Sequence, residues 1–427
     1  MRVRIHCGAD QIGGSCVEVE HDGSRLVLDV GRPLTAQRGE FVPLPPVPGL
    51  AIGAPTILGV LISHGHQDHW GLIDQVHPSI PRFIGKEAAD VLRAAQFWGA
   101  GVDINESGHF RHREPFALGP FTVTPHLVDH SGYDAYAFVI EAGGQTLMYS
   151  GDLRAHGRKA SLFTELIDDP PAGVDVLILE GTHVGQLQEA DALPSEASVE
   201  DALVERCTAT AGAVVTLNSA QNIDRVVSCY RAAVRAGRTM AIDLYTAEVI
   251  AATGRNTLPR PGPKWPKVRV FIPVRQRMRV KDATAFDRTR SIAAYRVYPE
   301  EIAAKPGRFL IAGSFQGEIP RMIRSGMLER GCVTWSMWSG YLGEKSGQKL
   351  TAALAGAGVP LVQIHTSGHA IPADLQRLVA AVQPRAVVPI HTEHATGFGP
   401  LMSRPVQAQP DGTWWDVANR ELHASCL

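Results

Sequence analysis

Residues 63–70 read Ser-His-Gly-His-Gln-Asp-His-Trp, which crowds His64, His66, Asp68 and His69 into six positions. Neutral imidazole and carboxylate suit zinc and related divalent ions. His64 and His66, two apart on a tight loop, can point the same way, while Asp68 and His69 face a second point. Four ligands are more than one ion takes from so short a loop. The spacing therefore predicts two metals about 3.5–4 Å apart, as in two-metal hydrolytic sites. Such a pair needs ligands from elsewhere, and the chain offers His130 in "VDHSGYD", Asp152 in "YSGDL" and His391 in "PIHTEH". The bland alternative is a solvated loop with accidental histidines. It would account for one histidine, but not for this cluster with three partners downstream.

These residues share a position in the pattern of elements. "TILGVLIS" (56–63) is a continuous apolar run of strand length that delivers the chain into the histidine loop. "FTVTPHLVDH", "AYAFVIEAGGQTLMYSGD" and "VDVLILEGTH" are further strand-like runs, each ending in a ligand-type residue. Functional groups thus sit on loops at strand ends, over a β core. Upstream, "SCVEVEHDGSRLVLDVG" reads as a hairpin about Asp-Gly, and "KEAADVLRAAQFW" (86–98) has helical spacing. From "SEASVEDALVERCTATAG" onward, strands and helices alternate in an α/β unit of their own. The stretch 255–281 holds Arg255, Arg260, Lys264, Lys267, Arg269, Arg275, Arg277, Arg279 and Lys281 and no acid. Its prolines predict a loop followed by a strand. It is either an RNA-channel lining or a solvated face. Trp335, Trp338 and Tyr341, at spacing three, read as a core-facing stripe more than as a base-stacking one.

With 427 residues, 44% of them apolar, the chain is long enough for two domains. A net charge of −2 leaves any nucleic-acid binding to a local patch. The six cysteines (Cys7, Cys16, Cys207, Cys229, Cys332, Cys426) include no C-x-x-C pair, which argues against a disulfide framework and suits a reducing cytosol. Neither a signal-peptide core nor an apolar run of about 18 residues is found, so the expectation is a cytoplasmic protein with no membrane partner.

The order H-x-H-x-D-H, a lone histidine, then S-G-D resembles the metal signature of the metallo-β-lactamase superfold, and Asp29 in "LVLDVG" matches its first motif. Lactonases, glyoxalases, lactamases and nucleases share that signature. Glu180 in "LILEGTH", His369 in "TSGHA" and His391 about twenty residues later resemble the β-CASP branch, whose members act on nucleic acids. "NIDRVVSCYRAAVRAGRTMAIDL" and "GSFQGE" (313–318) extend the likeness over nearly the whole chain, with ribonuclease J the nearest group. The resemblance implies a metallo-β-lactamase αββα sandwich (1–185 and 366–427) with an inserted α/β β-CASP domain (186–365). It implies one metal, zinc or manganese, on His64, His66 and His130, and a second on Asp68, His69 and His391, with Asp152 bridging. His391 favours RNA, single-stranded, over DNA, and a homo-oligomer is left open.

The mechanism then expected is attack on phosphorus by a hydroxide activated between two metals, giving a 5′-phosphate and a 3′-hydroxyl. Asp68, Glu180 and His369 form the catalytic set, with His369 the proton donor to the leaving oxygen and Glu180 on its other ring nitrogen. Ser314 and His369 are the expected substrate contacts. His126 and Asp129 read as supporting or incidental, incidental before supporting, and His183 and His365 as neighbours of the ligands. Two departures bear on the mode of cutting. Phe315 is inserted into a loop that runs Gly-Ser-Gln-Gly-Glu in the family, and Ile371 stands where a serine is common. The sequence also stops soon after His391, before the separate C-terminal domain of ribonuclease J, so exonuclease and endonuclease action stay open. Two alternatives are a lactonase-like small-molecule hydrolase, which would need neither Glu180 nor His369 nor the insertion, and a weakly active RNA-binding subunit, which would have eroded ligands.

Overall fold

The computed structural model describes residues 1–37, 39–188 and 191–418, so Cys426 lies outside the described residues. The other five cysteines are free thiols. The chain forms two compact units. Residues 1–93, 101–193 and the stretch from 368 onward make the first, and residues 94–100 and 194–367 the second.

The first unit is built on two sheets. One holds β1 (Arg2–Cys7), β2 (Cys16–His21), β3 (Ser24–Leu28), β4 (Ile57–Leu61), β5 (Arg82–Gly85), β6 (Gly108–Phe110) and the late strand β19 (Trp414–Asp416), in the order β19-β1-β2-β3-β4-β5-β6. The other holds β7 (Phe116–Leu118), β8 (Phe121–Val128), β9 (Ala135–Ala142), β10 (Gln145–Tyr149), β11 (Val176–Glu180) and β18 (Ala386–Ile390), in the order β18-β11-β10-β9-β8-β7. The β2–β3 hairpin turns at Asp22 and Gly23, both at positive φ (47° and 75°), as its short primed-type turn requires.

Strand periodicity explains how the sheets layer. In β9, Tyr136, Phe138 and Ile140 face a core shared with Val3, Ile5, Leu26 and Leu28 of the other sheet. The intervening Ala135, Ala137 and Val139 face the opposite way, onto Phe163 and Leu166 of the helix Ala160–Asp168 and Leu375 and Leu378 of the helix Pro372–Val382. The first sheet does the same through Val27 and Val60, which pack on Ala88, Ala89 and Leu92 of the helix Lys86–Gln96. Each sheet is therefore apolar on both faces, and two sheets covered by two helical layers form an αββα sandwich.

The second unit is a six-stranded sheet in the order β14-β13-β15-β12-β16-β17, every pairing parallel. Its strands are β12 (Val214–Leu217), β13 (Thr239–Ile242), β14 (Val268–Val270), β15 (Phe309–Gly313), β16 (Cys332–Trp335) and β17 (Leu361–Gln363). Ser195 caps the helix Glu196–Ala209 by accepting from the Ser198 N–H, and Asn222 caps Ile223–Arg235. This is the expected fold class: a metallo-β-lactamase sandwich with an α/β insertion of β-CASP type.

Two local expectations are corrected. The basic stretch does run from a loop into a strand, the three-residue β14, but its second half, expected to continue as strand, is the helix Val274–Asp282. Pro273 stands just before that helix, where a missing N–H costs nothing. The aromatic stripe splits: Trp335 ends β16 and is buried, whereas Trp338 and Tyr341 are exposed in the following turn. Trp335 belongs to the strand, whereas the 3₁₀ turn after it keeps Trp338 and Tyr341 together on a separate, outward face. Among the described residues no helix is long and apolar enough to cross a membrane.

Candidate metal centre

Every side chain of the site leaves one end of the sandwich. Asp29 follows β3, the loop with His64, His66, Asp68 and His69 follows β4, and His130 follows β8. Asp152 follows β10, Glu180 closes β11 and His391 follows β18. β3 pairs parallel with β4, and β10, β11 and β18 are mutually parallel, so register alone brings these termini together.

The loop is held from behind by Asp29, itself at positive φ (60°) and fully buried. Its carboxylate accepts from the Ser63 N–H (2.7 Å), the Ser63 hydroxyl (2.8 Å) and the Tyr149 hydroxyl (2.8 Å), and faces His69 Nδ1 at 2.8 Å. That last contact leaves His69 Nε2 pointing forward. His130 is fixed the same way, its Nδ1 donating to the Gly368 carbonyl (2.6 Å) so that Nε2 faces His66 Nδ1 at 3.0 Å. The Gly8 carbonyl accepts from the His391 N–H (2.7 Å), and the Ser15 N–H donates to the Asp68 carbonyl (3.1 Å), so the β1–β2 loops brace both ends of the ligand set.

The forward-facing atoms converge in two groups, His64–His66–His130 and Asp68–His69–Asp152–His391, each with its ligand atoms within 4.8 Å of one another. Asp152 Oδ2 lies 3.1 Å from His69 Nε2 and 3.7 Å from both His64 Nε2 and His391 Nε2, between the two groups. His64 Nε2, His69 Nε2 and both Asp152 oxygens are buried without a hydrogen-bond partner. Leaving such atoms unpaired costs about 1–3 kcal/mol each. A nitrogen-and-carboxylate set that is buried, convergent and unsatisfied has the chemistry of a divalent-cation site. All seven ligand residues expected from the sequence meet here.

Electrostatics separates the histidines. Burial, reinforced by neighbouring imidazoles, pushes His64 and His130 well below the ordinary histidine value and His66 to about 4, so these rings are neutral and ready to ligate. Burial also opposes charge on His69, but Asp152, Asp29 and Asp68 outweigh it and raise that ring.

Glu180 and His369 sit beside the second group. The Glu180 carboxylate accepts from the Leu153, Thr182 and Ala370 N–H groups (3.3, 3.2 and 3.3 Å) and lies 3.3 Å from His369 Nδ1. With its oxygens engaged in this way, Glu180 also falls in a third His/Asp/Glu grouping with Asp152, His369 and His391. Burial opposes the His369 cation, yet Glu180, Asp152 and Asp68 together hold its pKa up to about 9.

Sequence reasoning missed Thr182. Its hydroxyl lies 2.9 Å from His391 Nδ1 and 3.1 Å from His369 Nδ1, joining a candidate ligand to the candidate proton donor. The available signal was a hydroxyl two positions after a strand-end acid. For Asp129 the contacts favour the supporting reading over the incidental one: fully buried, it accepts from the Gly157 N–H (2.7 Å) and pairs with Arg154, holding the loop that carries Asp152. His126 is buried outside both groups, its pKa pushed down to about 4 by burial and by Arg113. The His183 ring is 6.3 Å from that of His369, whereas His365 lies in the second unit, 3.3 Å from the Arg225 guanidinium. Ser314 also belongs to the second unit. Its N–H donates to Asp243 (2.7 Å) and its side chain is exposed. The departure Phe315 is buried there, stacked on Phe271 at 5.4 Å.

Residues 24–216 match a beta-lactamase superfamily domain, and residues 360–398 match a Zn-dependent metallo-hydrolase RNA specificity domain. The second segment carries His369 and His391. Ribonuclease J of Mycobacterium tuberculosis is 27% identical over 424 residues, covering 92% of this chain and 68% of that protein. An RNase J-like protein of Methanocaldococcus jannaschii is 26% identical over 266 residues, 57% of this chain and 58% of its own. A solved structure described as a protein of unknown function from Enterococcus faecalis superposes with a TM-score of 0.76 at 19% identity, over 97% of this chain and 99% of that one.

Proposed function

We propose that this chain, which belongs to the metallo-β-lactamase superfamily, is a metal-dependent ribonuclease that hydrolyses the phosphodiester bonds of RNA. The observation that carries the reading is the Glu180–His369 pair, set beside the two ligand groups by a segment of RNA-specificity type. A small-molecule hydrolase would have no use for that pair.

His64, His66 and His130 would hold one divalent ion, and Asp68, His69 and His391 a second, with Asp152 shared between them. Bound zinc or manganese would supply an acidified water as nucleophile and neutralise phosphate charge. The chain's own residues do the rest. Glu180, its carboxylate held below the ordinary range by His369 against the effect of burial, keeps a proton on the imidazole through Nδ1. His369 Nε2 is then the atom that delivers a proton to the departing 3′ oxygen, leaving a 5′-phosphate on the product. Asp29 and the Gly368 carbonyl keep His69 and His130 in the ligating tautomer. In the second unit, the Ser314 hydroxyl is the proposed contact to an RNA phosphate.

The test is metal analysis of the purified protein, followed by cleavage of 5′-phosphorylated RNA, 5′-hydroxyl RNA and DNA of one sequence. Metal-dependent cutting of RNA is expected, and end-labelling distinguishes removal of nucleotides from the 5′ end from internal cuts. His369→Ala should bind metal and RNA and lose about 10²–10⁴-fold in rate. Intact RNA alongside rapid lactone hydrolysis would overturn the reading. Wild-type rates in His369→Ala would remove that residue as proton donor.

A further inference from the structure

Because all six strands of the second unit are parallel, the segments that follow them leave from the same end of its sheet. Two of these segments carry side chains that the reading above does not use.

After β14 comes the helix Val274–Asp282, whose Arg275, Arg277, Arg279 and Lys281 are exposed while Gln276 and Val280 are buried. Arg275 with Arg279, and Arg277 with Lys281, are like charges four residues apart, an arrangement that destabilises a helix. Arg275 also sits in the first turn, at the positive end of the helix dipole, and that turn holds no acid. The helix thus carries a charge pattern that its own stability opposes and that a polyanion would relieve. Beside it lies a shallow hollow of about 790 Å³ lined by Phe97, Arg275, Met278, Arg279, Ala283 and one acid, Asp282. The guanidinium of Arg279 lies 5.5 Å from the centre of the Phe97 ring.

After β16 comes an aromatic pair. Trp338 is 64% exposed and meets Tyr341 edge-on, with ring centres 5.3 Å apart. The buried Trp335 anchors the turn, its indole N–H donating to the Trp338 carbonyl at 3.1 Å. A Cβ at Gly340 would fall 2.2 Å from the Trp338 ring, so the indole lies against bare backbone that only glycine provides. β14 and β16 are four strand intervals apart in the sheet order. At about 4.8 Å per interval, that is roughly 19 Å.

We propose that the carboxyl ends of these strands form a platform for single-stranded RNA, with phosphates on Arg275, Arg277 and Lys281 and a base stacked at Trp338. The proposal rests on the RNA reading given above. Repeating anions and flat π faces at one spacing occur together in a nucleic-acid strand, and a cationic track with an aromatic stacking site is how sequence-tolerant single-strand binding is built. Open α/β sheets take their ligands at the carboxyl ends of the strands.

The test is fluorescence anisotropy of the metal-loaded full chain with a labelled phosphorothioate RNA of about twenty nucleotides, titrated at several salt concentrations. Arg275→Gln/Arg277→Gln/Lys281→Gln is expected to bind more weakly and to make the log–log salt dependence shallower by about 2. Trp338→Ala should weaken binding roughly tenfold at fixed salt without changing that slope, and Trp338→Phe should restore most of the loss. Thermal melting and metal content serve as controls for folding. Wild-type affinity and slope in the triple variant, or wild-type affinity in Trp338→Ala, overturns the platform. So does competition by anionic vesicles as effective as by unlabelled RNA. A protein that binds RNA through these residues and cuts none overturns the ribonuclease reading and leaves the platform standing. One that cuts RNA while both variants bind normally does the reverse.

Discussion

Thr182 links a candidate metal ligand and the candidate proton donor through one oxygen. If His391 ligates through Nε2, its Nδ1 carries the proton and donates to the Thr182 hydroxyl, and His369 Nδ1 lies within reach of the same oxygen. Thr182→Val keeps the shape and removes the oxygen. It should lower metal affinity about 10–100-fold and shift the acidic or basic limb of the pH–rate profile, while Thr182→Ser restores both. Metal titration and the profile together check this, because a purely structural role would move melting and leave the profile in place. Asp29 gives a second case. Asp29→Ala strands two donors of Ser63, the Tyr149 hydroxyl and His69 Nδ1 in a fully buried place. The expected loss of folding stability is about 3 kcal/mol or more, read by chemical denaturation.

At the level of elements, Phe138 shows how the sandwich supports the site. It is fully buried between the sheets, one residue from the partners of both flanking layers, and its strand runs between the β8 and β10 strands that present His130 and Asp152. Phe138→Ala should destabilise the protein by about 3–5 kcal/mol by denaturant melts. Much of this architecture could be read from the sequence. The Asp-Gly hairpin, the apolar run into His64 and the ligand-type residue at each strand end all carry strong local signals, and the family likeness supplied the connection between them. What escaped depended on tertiary context. "VRQRMRVK" puts its cations at alternate positions, a strand period, yet packing of Gln276 and Val280, four apart, made it a helix. Trp335, Trp338 and Tyr341 keep helical spacing on paper, but a 3₁₀ turn sends the last two outward. Thr182 and Asp129 carry no motif of their own. Their importance comes from contacts with residues hundreds or tens of positions away, which no local pattern encodes.

For the whole molecule, the opposed histidine shifts set a pH signature. His64, His66 and His130 have folded values below the ordinary 6.5, so the stability they contribute is present above about 6.5 and lost as the pH falls, toward about 4 for His66. His69 and His369 have raised values, so theirs is present below about 6.5 and lost as the pH rises, through about 9 for His369. The metal-free protein should therefore melt highest near pH 6.5 and lower on both sides, and thermal melts from about pH 4.5 to 9 in chelator check this. Loading the site at neutral pH must displace the proton that the carboxylates hold on His69, so metal binding should release about one proton. Calorimetry in buffers of different ionisation enthalpy reads that number directly.

The ligand groups are also unequal in where they lie along the polypeptide. His64, His66 and His130 fall within the first third of the chain, whereas Asp68, His69 and Asp152 wait for His391, which arrives only after the whole second unit. During synthesis the side chains of the first group therefore emerge before the insertion is made, and those of the second are complete only after it. A nascent chain halted inside the insertion would carry His64, His66 and His130 but lack the Gly368 carbonyl that fixes His130, together with His369 and His391, so neither group is fully set until the chain has passed the insertion.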